Sequence, residues 1–326
     1  MNTDKLLYIF HGYGGENSLL PLAAYMKERG FRTLVVDDQY APLSRAETFQ
    51  ILKEQKKLYS IVYITSAHLW FDEFNYNDFF WKDPAIISAI EMIDFLKPIY
   101  SVYYPHDLEC FMHPSEMNWL DLFDRVLLPY INNDYYKLKS ICPNVNIVGW
   151  IKKREEVFPQ YPCGPGAYSP LFFPSNISSF YQILGVNGYA DWFIKYISPS
   201  VPLKMPGTDP TLIRILTDHG FTFLDPSVTV YGAMSQYNLV IASGDSSIVF
   251  EAALSGLPVI SILDGMMSDE MCLHHIGGIP GVYPVHPEEV NGFIEDLNKS
   301  GRELEHSPNI LKPFDFEQVM EYLTNL

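Results

Sequence analysis

The first half of the chain alternates short apolar runs with segments whose apolar residues recur at helical spacing. Leu6–Phe10 is a strand-length run; Leu19–Arg29 follows at helical spacing and closes on Gly30. Thr33–Val36 reads as a second strand and ends in Asp37 and Asp38, Ile61–Ile64 as a third and Ile99–Tyr103 as a fourth. Val126–Leu128 and Val145–Val148 supply a fifth and a sixth. Short runs that are mostly apolar, without strict polar alternation, suit strands covered on both faces, and such strands pair in parallel through crossover helices. The pattern therefore predicts βαβ units and a parallel sheet.

A composition break follows. Phe158–Pro174 carries FPQYPCGPGAYSPLFFP, whose prolines and glycines disfavour both helix and strand interiors. Alternation then restarts with a strand at Tyr181–Gly185, a helix at Tyr189–Tyr196, a strand at Pro202–Met205 and a helix at Leu212–His219. After Phe221–Leu224 come a short helix near Val228–Ser235, the strand Leu239–Ser243, a helix Ser246–Leu254 and the strand Pro258–Leu263. The chain of 326 residues suits two domains. The expected fold is α/β, with two Rossmann-like domains facing a cleft: residues 1–157, a Pro/Gly-rich hinge at 158–174 (or a substrate-contacting loop), and residues 175–326. Glu289–Leu297 and Phe316–Leu323 read as amphipathic helices, the last packing back across the hinge.

The formal net charge of −17, with no basic stripe, argues against nucleic acid as a partner. Cys110, Cys142, Cys163 and Cys272 form neither a CxxC pair nor a zinc pattern and read as reduced thiols. No uninterrupted apolar span reaches the roughly 18 residues of a membrane helix, and the N-terminal run is too short for a signal peptide. A cytoplasmic location is the expectation.

The first strand ends in His11-Gly-Tyr-Gly-Gly-Glu16, which has two readings. After a strand, His-Gly-x-Gly-Gly offers backbone N–H groups to an oxyanion in an α/β-hydrolase. In a nucleotide-using α/β protein, glycines at a strand-to-helix turn let an anion approach the backbone. The hydrolase needs a serine on a G-x-S-x-G elbow. Ser66 has no flanking glycines, and Gly244-Asp-Ser-Ser-Ile248 lacks the second one, so the hydrolase is disfavoured.

The most informative segment is Tyr237-Asn-Leu-Val-Ile-Ala-Ser-Gly-Asp-Ser-Ser-Ile-Val-Phe-Glu-Ala-Ala-Leu-Ser-Gly-Leu-Pro-Val-Ile260. A buried strand runs into Gly244-Asp245-Ser246-Ser247, a helix begins, and Gly256 with Pro258 ends it before the next strand. Unpaired N–H groups and the helix dipole at such a start favour a diphosphate, and serine hydroxyls add donors. Glu251 lies one turn further on, within reach of a ribose hydroxyl. The plainer reading, that Asp245 or Ser246 only caps the helix, explains neither the glutamate nor the Gly-x-Pro.

Ser243–Ile260 resembles the C-terminal nucleotide-binding motif of GT-B glycosyltransferases. It is nearest the D-Y-S-S-x-x-F-[DE] pattern of capsule, teichoic-acid and bacterial sialic-acid-type transferases. Asp245, Ser246, Ser247, Phe250 and Glu251 occupy comparable positions, with Gly-Asp in place of Asp-Tyr. A weaker similarity is to UDP-N-acetylglucosamine 2-epimerases. In Val201-Pro-Leu-Lys-Met-Pro-Gly-Thr-Asp209 the resemblance implies a donor-phosphate contact for Lys204, against the plainer reading of a solvated charge at a strand end. Met205 stands where the family has histidine, which puts the cytidine-nucleotide subgroup in doubt. Phe223–Tyr231 resembles the turn and helix where a base is often held.

The family's chemistry implies no bound metal and no cofactor beyond the nucleotide-sugar donor, because helix ends and side chains neutralise the departing nucleotide. Inversion would need a base. Ser101-Val-Tyr-Tyr-Pro-His-Asp-Leu-Glu109 puts His106 and Asp107 at the end of the fourth strand, His106 as base oriented by Asp107 or Asp107 alone; a histidine satisfied by local hydrogen bonds is the plainer alternative. In this family the loop of Gly12, Gly14 and Gly15 borders the acceptor and donor phosphate, making His11 and Glu16 further candidates, although a tight turn alone would also select glycine. The aromatic stretch from Trp70 to Trp81 reads as a packed surface loop or an acceptor lid, and Gly277-Gly278 after His274-His275 as a loop beside the donor. The resemblance implies transfer of a sugar from a nucleotide donor to a carbohydrate or glycolipid acceptor, with peripheral membrane contact through a lipid-linked acceptor. A nucleotide-sugar epimerase or hydrolase of the same fold, and a non-catalytic nucleotide-sugar-binding protein, remain open.

Overall fold

A computed structural model describes residues 5–12, 19–37, 43–67, 87–105, 108, 119–131, 135–153, 168–174, 177–205, 209–244, 246–263, 269, 273, 276 and 279–325, the first seven residues of the 177–205 stretch as backbone only. The chain divides into two units, Met1–Lys153 with Leu311–Leu326, and Arg154–Ile310.

In the first unit, six strands form one all-parallel sheet: β1 (Leu6–Gly12), β2 (Thr33–Asp37), β3 (Ser60–Thr65), β4 (Tyr100–Tyr103), β5 (Arg125–Leu128) and β6 (Val145–Ile147). Helices α1 (Leu20–Glu28), α2 (Arg45–Leu58), α3 (Ala89–Leu96) and α4 (Tyr135–Ile141) connect them. Local chemistry starts two of these helices. Ser44 and Ser88 each accept a backbone N–H three residues on, and Glu47 and Glu91 reach back to complete capping boxes. Leu7, Ile9, Tyr63, Tyr103, Val126 and Leu128 of the sheet pack with Leu52, Met92 and Leu138 of the helices. The strand order is β2-β1-β3-β4-β5-β6. It reverses direction between β1 and β3, and ligands of open α/β sheets bind outside the carboxyl ends of strands at such a switch point.

Strands β7 (Pro170–Phe173), β8 (Leu239–Ser243), β9 (Val259–Ile262) and β10 (Val282–Val285) form the second sheet, in the order β10-β9-β8-β7. Single parallel bridges extend it from Phe172 to Leu203 and from Leu203 to Phe223. The expected strand at Pro202–Met205 is thus reduced to one paired residue, and Phe221–Leu224 pairs through Phe223 alone. With them the spatial order from one edge is 223, 203, β7, β8, β9, β10. This is the Rossmann order 3-2-1-4-5-6, with its switch point between β7 and β8. Helices α5 (Ile177–Tyr196), α6 (Pro210–Asp218), α7 (Val230–Met234), α8 (Ile248–Ala253) and α9 (Val290–Ser300) complete the unit. Phe172, Leu239, Ile241, Ile260 and Ile262 meet Tyr189, Phe193, Leu212, Leu216, Val290 and Leu297 in its core.

Three sequence expectations are corrected. Tyr181–Gly185 is helical up to Gly185 (φ 66°, ψ 170°), which separates the two stretches of α5. A run as short as Tyr-Gln-Ile-Leu fits strand and helix equally by pattern. Pro170–Phe173, inside the expected hinge, is a strand; its proline is the first residue, where a missing N–H is tolerated. Residues 311–326, placed by the sequence in the second domain although with its last helix packing back across the hinge, belong to the first unit, where α10 (Phe316–Thr324) lies. Trp150 N–H donates to Lys312 O and Asp315 N–H to Val148 O, both at 2.8 Å, and Tyr8 Oη donates to Leu323 O at 3.3 Å.

Candidate functional site

The turn after β8 occupies the switch point of the second sheet. All five strand residues are buried, and Gly244 N–H prolongs the pairing by donating to Ile262 O at 2.8 Å. Ser246 N–H donates to Ser243 O at 3.0 Å, which closes the turn. The helix begins at Ile248, two residues later than the sequence pattern placed it, so Ser246 and Ser247 are half-buried turn residues. Ser247 stands at the N-cap in the αR region without a side-chain capping bond, and Ser246 Oγ accepts a long bond from Ile248 N–H at 3.4 Å. Of the two hydroxyls only that of Ser246 takes part in capping, and its own proton remains a donor. Glu251 lies within α8 and is 2% exposed. Asp245 lies outside the described residues.

Lys204 follows the bridge residue Leu203 and is buried. Its Nζ donates to Pro226 O at 3.0 Å and Asp225 O at 3.2 Å. Burial pushes the ammonium pKa down, and the Asp225 carboxylate opposes that shift. The expectation of a solvated charge at a strand end is corrected by this burial. The same bonds bring Lys204 together with the Phe223–Tyr231 segment, which the sequence treated as separate. Around that segment Leu203 N–H donates to Thr222 O and Leu224 N–H to Leu203 O. Asp225 Oδ1 accepts from Ser227 N–H at 2.8 Å and Ser227 Oγ at 2.7 Å, and these bonds, side chain before backbone, hold the Asp225 carboxyl below its ordinary pKa. Thr229 caps α7 by accepting from Gly232 N–H at 3.0 Å.

In the first unit, His11 and Gly12 are the last residues of β1, at the switch point beside β3. The His11 side chain is fully buried, and its Nδ1 shares a 2.6 Å hydrogen bond with Tyr63 Oη on β3. His11 O accepts from Ser66 N–H at 2.9 Å, and Thr65 and Ser66 are likewise fully buried. Four polar side chains in the core at the ends of two neighbouring strands are costly unless bonded. Sequence reading missed Tyr63. The available signal was that residues 9, 11 and 63 fall on one face once β1 and β3 pair in parallel, which pattern alone does not reveal. Gly14, Gly15, Glu16, His106 and Asp107 lie outside the described residues, as do Trp70–Trp81, His274, His275, Gly277 and Gly278.

No family model matches the chain, and no curated protein matches it. Solved structures share its fold. The chain is similar to MnaA of Staphylococcus aureus, solved with UDP, at 12% identity and a TM-score of 0.56, over 99% of this chain and 97% of that one. It is similar to a UDP-GlcNAc 2-epimerase from Neisseria meningitidis, solved with UDP-GlcNAc, at 12% identity and a TM-score of 0.52, over 98% and 100% of the two chains. The fold is that expected from the sequence, two Rossmann-like domains of the GT-B kind. No described helix is long and apolar enough to cross a membrane.

Proposed function

We propose that this chain is a nucleotide-sugar enzyme of the GT-B kind that transfers a sugar to a carbohydrate or glycolipid acceptor. Its donor phosphates would sit at the Gly244–Ser247 turn. The observation that carries the reading is the strand order of the second sheet, whose switch point falls on the Gly-Asp-Ser-Ser turn that the sequence singled out. The Ser246 and Ser247 hydroxyls at this turn can each donate a proton to a diphosphate oxygen. Asp245 and Glu251 complete the donor side in this reading, Glu251 through the ribose. The base is drawn from His106, Asp107, His11 and Glu16, with Gly12, Gly14 and Gly15 as the backbone beside it. The donor enters as substrate, and no metal or further cofactor takes part.

A second reading is favoured by the likeness to a UDP-GlcNAc 2-epimerase: the same donor site would serve epimerisation of a nucleotide-sugar without an acceptor. One experiment separates the two. Incubation with UDP-, GDP-, CMP- and CDP-linked sugars, followed by NMR with and without an oligosaccharide acceptor mixture, should yield acceptor-dependent nucleotide release. Epimerised donor in the absence of acceptor would select the second reading. Binding without turnover of any donor would leave a nucleotide-sugar-binding protein and refute both.

A further inference from the structure

We infer that Lys204 is a positioning residue that fixes the loop 224–229 and thereby determines which nucleobase the second unit accepts. The inference rests on the nucleotide reading above and names what selects the base within it.

The topology puts the parts on one edge. In a parallel sheet every strand runs the same way, so Lys204, Asp225 and Gly244 all emerge at the carboxyl edge, after the bridge residues Leu203 and Phe223 and after β8. The Gly244 turn is separated from the Lys204 position by two strand spacings and from the Asp225 loop by three. At about 4.8 Å per spacing these are roughly 10 and 14 Å. A nucleotide with its phosphates at the turn has the length to bring its base to the loop.

The loop needs an internal anchor. Asp225, Pro226 and Ser227 are exposed, and such a segment is held only where its backbone finds partners. Asp225 O accepts twice, from Val228 N–H at 3.1 Å and from Lys204 Nζ at 3.2 Å, and Pro226 O takes a second ammonium proton at 3.0 Å. From the outer side, Asp225 Oδ1 accepts from Ser227 N–H and Oγ. A buried cation bonded to two successive carbonyls sets both peptide planes, and hydrogen bonds from the loop to a base edge then have one geometry. Two of the three ammonium protons are thus directed at the loop, which makes the loop carbonyls the main partners of Lys204.

Calorimetry on wild type, Lys204→Met and Lys204→Arg, with UDP, CDP, GDP, ADP and inorganic pyrophosphate as probes, tests this. Lys204→Met should weaken the preferred nucleotide by about tenfold or more and bring the four bases to within about threefold of one another, while pyrophosphate changes less than about twofold. Lys204→Arg should recover part of the discrimination. Amide exchange at Ser227 and Val228 should quicken by about tenfold in Lys204→Met without any ligand. If Lys204→Met does not fold, the exposed double change Asp225→Ala/Ser227→Ala loosens the same loop and should shift the base ratios the same way. Equal loss for pyrophosphate and nucleotides would make Lys204 a phosphate contact and overturn the inference, as would a wild type indifferent to the base. Should the wild type bind no nucleotide, the nucleotide reading fails. Faster exchange at Val228 would then still uphold Lys204 as the loop's anchor, and unchanged exchange would overturn it.

Discussion

Gly149→Ala should be among the most damaging single-methyl additions to the first unit. Gly149 has φ +82°, and a Cβ built on it would lie 2.2 Å from Pro313 O, 2.7 Å from Pro313 C and 2.8 Å from Lys312 O. All three are backbone atoms, so no side-chain rotation relieves the overlap. Left-handed backbone on a non-glycine residue costs about 1–2 kcal/mol. Retreat of residues 312–313 would also break the bonds from Trp150 N–H to Lys312 O and from Asp315 N–H to Val148 O, at about 0.5–1.5 kcal/mol each. Packing of the Tyr104 ring against Trp150 and Phe314, with centroids 5.9 and 5.4 Å away, would loosen with them. The sum is about 2–5 kcal/mol, at or above the upper end of what single substitutions usually cost. Gly30→Ala is the control. Its φ is +86°, but nothing lies within 4 Å of the added Cβ, so its cost should be the backbone term alone, about 1–2 kcal/mol. Native-state hydrogen exchange read in β1, β6 and α10 follows the first unit separately from the second. Exchange in α10 should quicken most in Gly149→Ala. Equal destabilisation by the two substitutions would refute the close approach, and with it the account of how residues 311–326 are held.

The remaining expectations concern the site and its pH dependence. Ser246→Ala/Ser247→Ala should reduce nucleoside diphosphate affinity at least several-fold by calorimetry, and unchanged affinity in the folded double variant would remove the phosphates from this turn. Tyr63→Phe leaves a buried imidazole nitrogen without its 2.6 Å partner and should lower unfolding stability by about 1–3 kcal/mol; a loss below about 0.5 kcal/mol would contradict the bond. Among His106→Ala, Asp107→Asn, His11→Ala and Glu16→Gln, the variant lacking the base should lose about 10²–10⁴ in turnover at near-normal donor affinity, and full activity in all four would exclude an inverting transfer by these groups. The Asp225 carboxyl is lowered in the folded chain, so its contribution is complete above the ordinary carboxylate pKa of about 4 and is lost as pH falls through the lowered value. Asp225→Asn should flatten that acid limb in urea titrations at stepped pH; an unaltered limb would show that the Ser227 bonds do not persist in solution.

Much of the local structure was legible because it depends on neighbours in sequence. An unbroken apolar run such as Leu239–Ala242, followed at once by Ser-Gly-Asp, suits a strand covered on both faces, and Gly256-Leu-Pro258 stops a helix whatever surrounds it. Composition and these runs together determined the class: α/β, parallel, two sheets. Where a run was short, the decision passed to tertiary context. Tyr-Gln-Ile-Leu became helix and Pro-Leu-Phe-Phe became strand because β7 fills the place beside β8, and propensity over four residues is too weak to oppose a sheet ladder. The candidate site divides in the same way. The Gly244–Ser247 turn announced itself, since strand, turn and helix follow one another along the chain. That it stands at a switch point did not, because strand order is a choice among partners tens of residues apart, and a sequence period of two or 3.6 carries no record of that choice. His11 meets Tyr63 across 52 residues and Lys204 meets Pro226 across 22. Both pairs exist because parallel pairing puts residues distant in sequence side by side in the dry interior, where a polar atom has to find a partner and only the folded chain can supply one.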